Sequence, residues 1–122
     1  MQHEHEVMVA TRQVLDRLGD KWSVRVIATL LRGPMGFVEM RRELGGVSHK
    51  VLSYVLRSLE RDGYAARRVL ALAPLRVEYR LTPLGQSFAE LLDRLEAWAA
   101  VHRSEVSASQ RAYDATRPPS NE

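Results

Sequence analysis

The stretch GGVSHKVLSYVLRSLERDG, residues 45–63, decides how the rest of the chain is read. Gly45-Gly46 breaks whatever precedes it, and Ser48 is a natural N-cap, because its hydroxyl can accept from the unpaired N–H groups of a first helical turn. Val47 and Leu52 stand at the two positions of a hydrophobic staple, which fixes how the chain enters the helix. Val51, Leu52, Val55, Leu56 and Leu59 fall on one side at helical spacing, and Gly63 ends the run. Lys50, Ser53, Tyr54, Arg57 and Arg61 lie opposite. One face needs a core, and the other carries short polar groups and positive charge.

Working upstream, FVEMRREL (37–44) predicts a short helix with Phe37, Met40 and Leu44 inward and Arg41 and Arg42 outward. Two helices joined by a tight glycine turn, the second with a basic outer face, form a helix-turn-helix pattern. Before them, WSVRVIATLLR (22–32) is ended by Gly33-Pro34 and can be capped by Asp20. Trp22, Val24, Val26, Ile27, Leu30 and Leu31 leave it apolar on most sides, which predicts a buried central helix. A first helix is marked by Val7, Thr11, Val14, Leu15 and Leu18, with Gly19 as its stop.

Downstream the period changes to two. AARRVL (65–70) and RVEYRLT (76–82) predict a hairpin around an ALAPL connection. Thr82-Pro83 opens a last helix, Thr as N-cap and Pro at the first helical position. Along it Leu84, Phe88, Leu91, Leu92, Leu95, Trp98, Ala99 and His102 recur at near-heptad spacing, more apolar surface than a small monomeric core requires. SASQRAYDATRPPSNE (107–122) is polar and patternless. The expected fold is mainly α with a small β-hairpin. Its expected organisation is a flexible N-terminus over residues 1–8, one domain over 9–104 and a polar tail over 105–122.

Composition narrows the function. The 122 residues suffice for one core, and no apolar run approaches the roughly 20 residues of a membrane span. The N-terminus MQHEHEVMVA has early acids and no basic region, so no secretory signal is expected and a cytosolic location follows. There is no cysteine, which excludes disulfides, thiolate catalysis, thiol redox sensing and cysteine-based zinc sites. His3 and His5 with Glu4 and Glu6 lack a third ligand in any recognisable pattern, so no metal site is expected. No nucleophile–base pair, Gly-rich phosphate loop or carboxylate pair stands out, and no enzyme or cofactor is expected. Net charge is +3, yet residues 41–80 hold nine Arg or Lys against four acids, leaving the remainder at −2. A basic middle on a neutral scaffold points to a polyanion-facing surface.

The segments VLDRLGDKW (14–22), GPMGFVEMRREL (33–44), GGVSHKVLSYVLRSLERDGY (45–64) and RVEYRLTPLGQSF (76–88) together resemble the HxlR-type bacterial transcriptional regulators, relatives of the MarR-like winged-helix regulators. The resemblance runs over roughly residues 9 to 103. It implies a winged helix-turn-helix that binds double-stranded operator DNA as a homodimer. The helix after the glycine turn would enter the major groove, the hairpin would be the wing, and the first and last helices would build the dimer. Val9, Leu15, Leu91, Leu95 and Trp98 are the dimerisation residues this implies.

Ser48, His49 and Lys50 match the start of the family's recognition helix, and Ser53, Tyr54 and Arg57 its exposed turns. His49 or Lys50 is expected to read a base edge, since both carry donors that purine acceptors can meet. Ser48 divides between capping and a phosphate bond, and Arg57 suits phosphate or guanine. Arg41, on the preceding helix, is expected to brace the DNA backbone, and Arg76 corresponds to the family's wing arginine.

Two features depart from the family pattern. Val9 stands where many relatives carry a sensing cysteine, and the wing tip LALAPLR (70–76) is apolar where relatives are more polar. The tip suits either a minor-groove contact or packing against protein. The second option is the basis of an alternative function, a winged-helix protein–protein interaction module without specific DNA binding. With no thiol, the expected regulator is a small apolar or aromatic effector between the last helix and the winged domain, near Trp22 or Trp98.

Overall fold

The computed structural model describes residues 1–117. The elements are α1 (Gln2–Leu18), α2 (Lys21–Leu30), β1 (Met35–Gly36), α3 (Phe37–Leu44), α4 (His49–Arg61), β2 (Ala65–Leu72), β3 (Leu75–Leu81) and α5 (Pro83–Thr116). The chain divides into two compact units, residues 1–90 and a second that begins at Leu91 within α5.

The core of the first unit is built from faces of α2, α3 and α4, the start of α5 and the base of the sheet. Val26 and Ile27 of α2, Met40 and Leu44 of α3, and Leu52, Val55, Leu56 and Leu59 of α4 are buried together with Ala65, Leu81, Phe88 and Ala89. Each fully buried large aliphatic side chain here contributes about 1.5–3 kcal/mol relative to exposure. Periodicity predicts this core well, with two exceptions. Leu31 and Val51 are exposed: Leu31 lies just past the end of α2, and Val51 lies in the first turn of α4. Asp20 occupies the N-cap position of α2, but its side chain makes no bond to the helix N–H groups. Its carboxylate instead accepts from the hydroxyl of Ser23, a fully buried side chain that needs a partner.

The sheet is antiparallel in the order β1-β3-β2. Sequence periodicity misses β1, since two residues between Pro34 and a helix carry no alternation. The hairpin strands run further than expected, to Leu72 and from Leu75, so that the turn is only Ala73-Pro74. Register changes between Val69 and Ala71, leaving Leu70 as an extra residue, a β-bulge.

Both ends depart from the expected organisation. α1 begins at Gln2, so residues 2–8 are helical, and among the described residues of α1 none is buried. Val14 and Leu18 are the α1 residues that pack against the core. At the other end, residues 105–116 continue α5 instead of forming an irregular tail. They lack an apolar stripe, but Ala, Gln, Arg and Glu sustain a helix where no Gly or Pro interrupts it. Residues 118–122 of the expected tail lie outside the described residues. Three core helices, a three-stranded sheet with a projecting hairpin and a long final helix make a winged helix-turn-helix.

Candidate nucleic-acid interface

Local chemistry fixes the turn between α3 and α4 from both sides. Gly45 and Gly46 adopt φ of 54° and 79°, the left-handed region that glycine enters without strain. Arg25 Nη2 on α2 donates to the Leu44 carbonyl at 2.8 Å, satisfying an end group of α3. Arg41 Nε donates to the Val47 carbonyl at 3.2 Å, bridging the turn itself. Ser48 then caps α4, its Oγ accepting from the Val51 N–H at 3.1 Å, while Val47 and Leu52 are both buried as the staple requires.

With the turn held, α4 shows two opposite faces. Leu52, Val55, Leu56 and Leu59 are in the core, and Ser48, His49, Lys50, Tyr54 and Arg57 are exposed, with Ser53 half-buried. His49 does not swing freely. Its ring lies against Phe37 with centroids 4.6 Å apart, and its Nδ1 is 3.5 Å from Ser53 Oγ. Lys50, one residue on, is exposed at the positive end of the helix dipole, where an anion is favoured.

The hairpin forms the other wall. A groove of about 430 Å³ runs between His49, Ser53 and Arg57 of α4 and Arg67, Val77 and Tyr79 of the sheet. A neighbouring one of about 620 Å³ joins His49 and Phe37 to Leu70, Leu75 and Arg76. Glu39, Glu60 and Glu78 also line these grooves, equal in number to Arg57, Arg67 and Arg76, so the recesses themselves are of mixed charge. The structure therefore places His49, Ser53 and Arg57 along one recess and His49 and Arg76 along the adjoining one, with Ser48, Lys50 and Tyr54 exposed on the same helix. Arg41 is exposed too, but its Nε is engaged within the turn. Arg67 was not foreseen. The alternation of AARRVL, with Arg67 opposite Tyr79 in register, is the signal that places it on this side.

The far end of α4 is anchored by an ion pair. Arg17 Nε is 2.5 Å from Asp62 Oδ2, and this bond raises the Arg17 pKa further above its ordinary value. Next to it, burial raises the Tyr64 phenol pKa, with the nearby Asp62 charge adding to the shift and Arg17 opposing it. The five residues assigned to dimerisation, Val9, Leu15, Leu91, Leu95 and Trp98, are all exposed in the single chain. The two indoles are partnered locally: Trp22 lies under Arg25 at 4.7 Å, and Trp98 stacks on His102 at 4.3 Å. No helix among the described residues is long and apolar enough to cross a membrane.

Comparison with known proteins agrees with this geometry. The HxlR-like helix-turn-helix model matches residues 17–107. The HTH-type transcriptional regulator YtfH of Escherichia coli (strain K12) is 38% identical over 98 residues, covering 80% of this chain and 78% of that protein. The reduced form of the transcriptional regulator YodB from B. subtilis is 31% identical with a TM-score of 0.67, covering 72% of this chain and 86% of YodB. The redox regulator HypR in its reduced form is 28% identical with a TM-score of 0.69, covering 81% and 98%. On this fold, this interface and these similarities, the chain belongs to the HxlR-like helix-turn-helix family of transcriptional regulators.

Proposed function

We propose that two copies of this chain bind one near-palindromic DNA operator and thereby regulate transcription. The observation that carries the reading is the two-sidedness of α4. One face is sealed into the core, and the other exposes Lys50, Tyr54 and Arg57, with Arg57 lining a groove together with Arg67. An α-helix of this kind fits the major groove, where Lys50 or His49 meets base edges and Arg57 meets phosphate or guanine. Ser48 adds a phosphate contact beyond its cap, and Arg76 reaches the backbone from the wing. Arg41 contributes chiefly by holding the turn, with its remaining N–H groups directed to phosphate.

Dimerisation is part of the proposal. α1 leaves Val9 and Leu15 exposed, and α5 leaves Leu91, Leu95 and Trp98 exposed at coiled-coil-like spacing. A second copy covering these residues would set two recognition helices about 34–36 Å apart on successive major grooves. A small apolar or aromatic molecule near Trp22 or Trp98 would shift that spacing; its support is the exposed Trp98 indole, and indole fluorescence during titration is its test.

The experiment for the whole reading is a salt titration of duplex binding combined with sedimentation. Dimeric protein whose log binding constant falls by about 0.9 per phosphate contact for each tenfold rise in salt supports it. A salt-independent constant, or a monomer on DNA, contradicts it.

A further inference from the structure

The hairpin carries a row of mostly apolar residues, interrupted by Arg67, past the end of the protein's own core. Facing pairs on the side toward α4 are Ala65/Leu81, Arg67/Tyr79, Val69/Val77 and Leu72/Leu75. The first pair is buried in the core, and the third and second flank the groove beside α4 through Val77, Tyr79 and Arg67. The last pair is at the tip, where Leu72 is 83% and Leu75 62% exposed. Simple alternation from Ala65 would turn Leu72 to the opposite side. The extra residue Leu70 reverses this and sets Leu72 directly across from Leu75 on the α4 side. Only Ala73 and Pro74 lie between them, so no bulky side chain stands ahead of the pair.

We propose that this leucine pair is a wedge that enters the minor groove beside the major groove held by α4, partly unstacks a base step and bends the operator. The inference rests on the DNA-binding reading above. DNA is the occupant favoured by continuity with the α4 face and by charge. The hairpin bears Arg67, Arg68, Arg76 and Arg80 against the single acid Glu78, and Arg76 directly adjoins the tip pair Leu72/Leu75. Apolar wedges between base steps are an established means of kinking DNA toward the major groove, by roughly 20–90°. An acidic protein partner for the tip is the competing occupant, and the test separates the two.

The test uses the duplex recovered by selection from random sequence, carrying 2-aminopurine at steps flanking the major-groove contacts, with bending read by fluorescence energy transfer between its ends. The wild-type chain should raise 2-aminopurine fluorescence severalfold at one step per half-site and shorten the end-to-end distance. The double variant Leu72→Ser, Leu75→Ser should abolish both signals and bind about tenfold more weakly, with an unchanged salt slope because no phosphate contact is lost. Both leucines are exposed, so the variant should melt with the wild type; circular dichroism checks this. Binding without bending by the wild type, or a variant that bends DNA as well as the wild type, overturns the wedge while leaving DNA binding intact. Failure of the wild type to select or bind any duplex overturns the DNA-binding reading itself, and the wedge with it.

Discussion

Arg17 Nε lies 2.5 Å from Asp62 Oδ2, joining the last turn of α1 to the residue that ends α4. Their side chains are 24% and 29% exposed, so water and salt screen the pair only in part. Replacing Arg17 with Met should cost about 0.5–1 kcal/mol in urea unfolding, and less at high salt. The raised Arg17 pKa adds no pH dependence at ordinary pH. A basic group with a raised folded pKa loses its stabilisation only as pH climbs beyond its own titration range, which for arginine is strongly alkaline.

Tyr64 supplies an alkaline limit instead. Its ring packs on Phe88 with centroids 4.5 Å apart, and burial raises its pKa above the ordinary 10. The unfolded chain therefore loses the phenol proton first as pH rises. Stability from this group is complete below about pH 10 and is lost as pH rises through the folded value. Tyr64→Phe should flatten the alkaline limb of the stability–pH profile and leave the neutral region nearly unchanged.

The TPLG segment closes the same corner. Thr82 Oγ1 donates to the Gly63 carbonyl at 2.6 Å and accepts from the Gly85 N–H at 3.0 Å, tying the start of α5 to the end of α4. A Cβ on Gly85 would collide with the Tyr64 carbonyl oxygen, a backbone atom that cannot move aside without breaking this lock. Gly85→Ala should lower stability by about 1–3 kcal/mol, seen as a depressed melting temperature.

Arg41 and Arg57 are both exposed arginines of the helix-turn-helix, yet they should fail differently. Arg41→Ala removes the 3.2 Å bond to the Val47 carbonyl and should cost about 1 kcal/mol of stability as well as DNA affinity. For Arg57→Ala the stability change should stay within about 0.5 kcal/mol while specific binding weakens by about 1–3 kcal/mol. Parallel unfolding and binding curves distinguish the two.

What the sequence made legible was whatever repeats or caps locally. The bounds of α3, the Ser48 cap, the Val47/Leu52 staple and the Thr82-Pro83 helix start all follow from residue types within one or two turns. Features that need a partner elsewhere were not legible. The Leu70 bulge exists only once β2 is laid against β3, and the Arg41 bond only once the glycine turn folds back. The helix over residues 105–116 escaped because an exposed helix needs no apolar stripe. In the site, the polar face of α4 was visible as a pattern. Its opposite wall at Arg67, and the restraint of His49 by Phe37 and Ser53, required the tertiary fold.

The most direct test is selection of bound sequences from random duplex DNA at near-physiological salt, by the wild type and by the Lys50→Ala, Arg57→Ala double variant. Two inverted half-sites centred about 10–10.5 base pairs apart, enriched by the wild type and not by the variant, are the predicted result. A pool that stays random with the wild type, or one that the variant enriches equally well, would contradict the assignment of the exposed α4 face to the major groove.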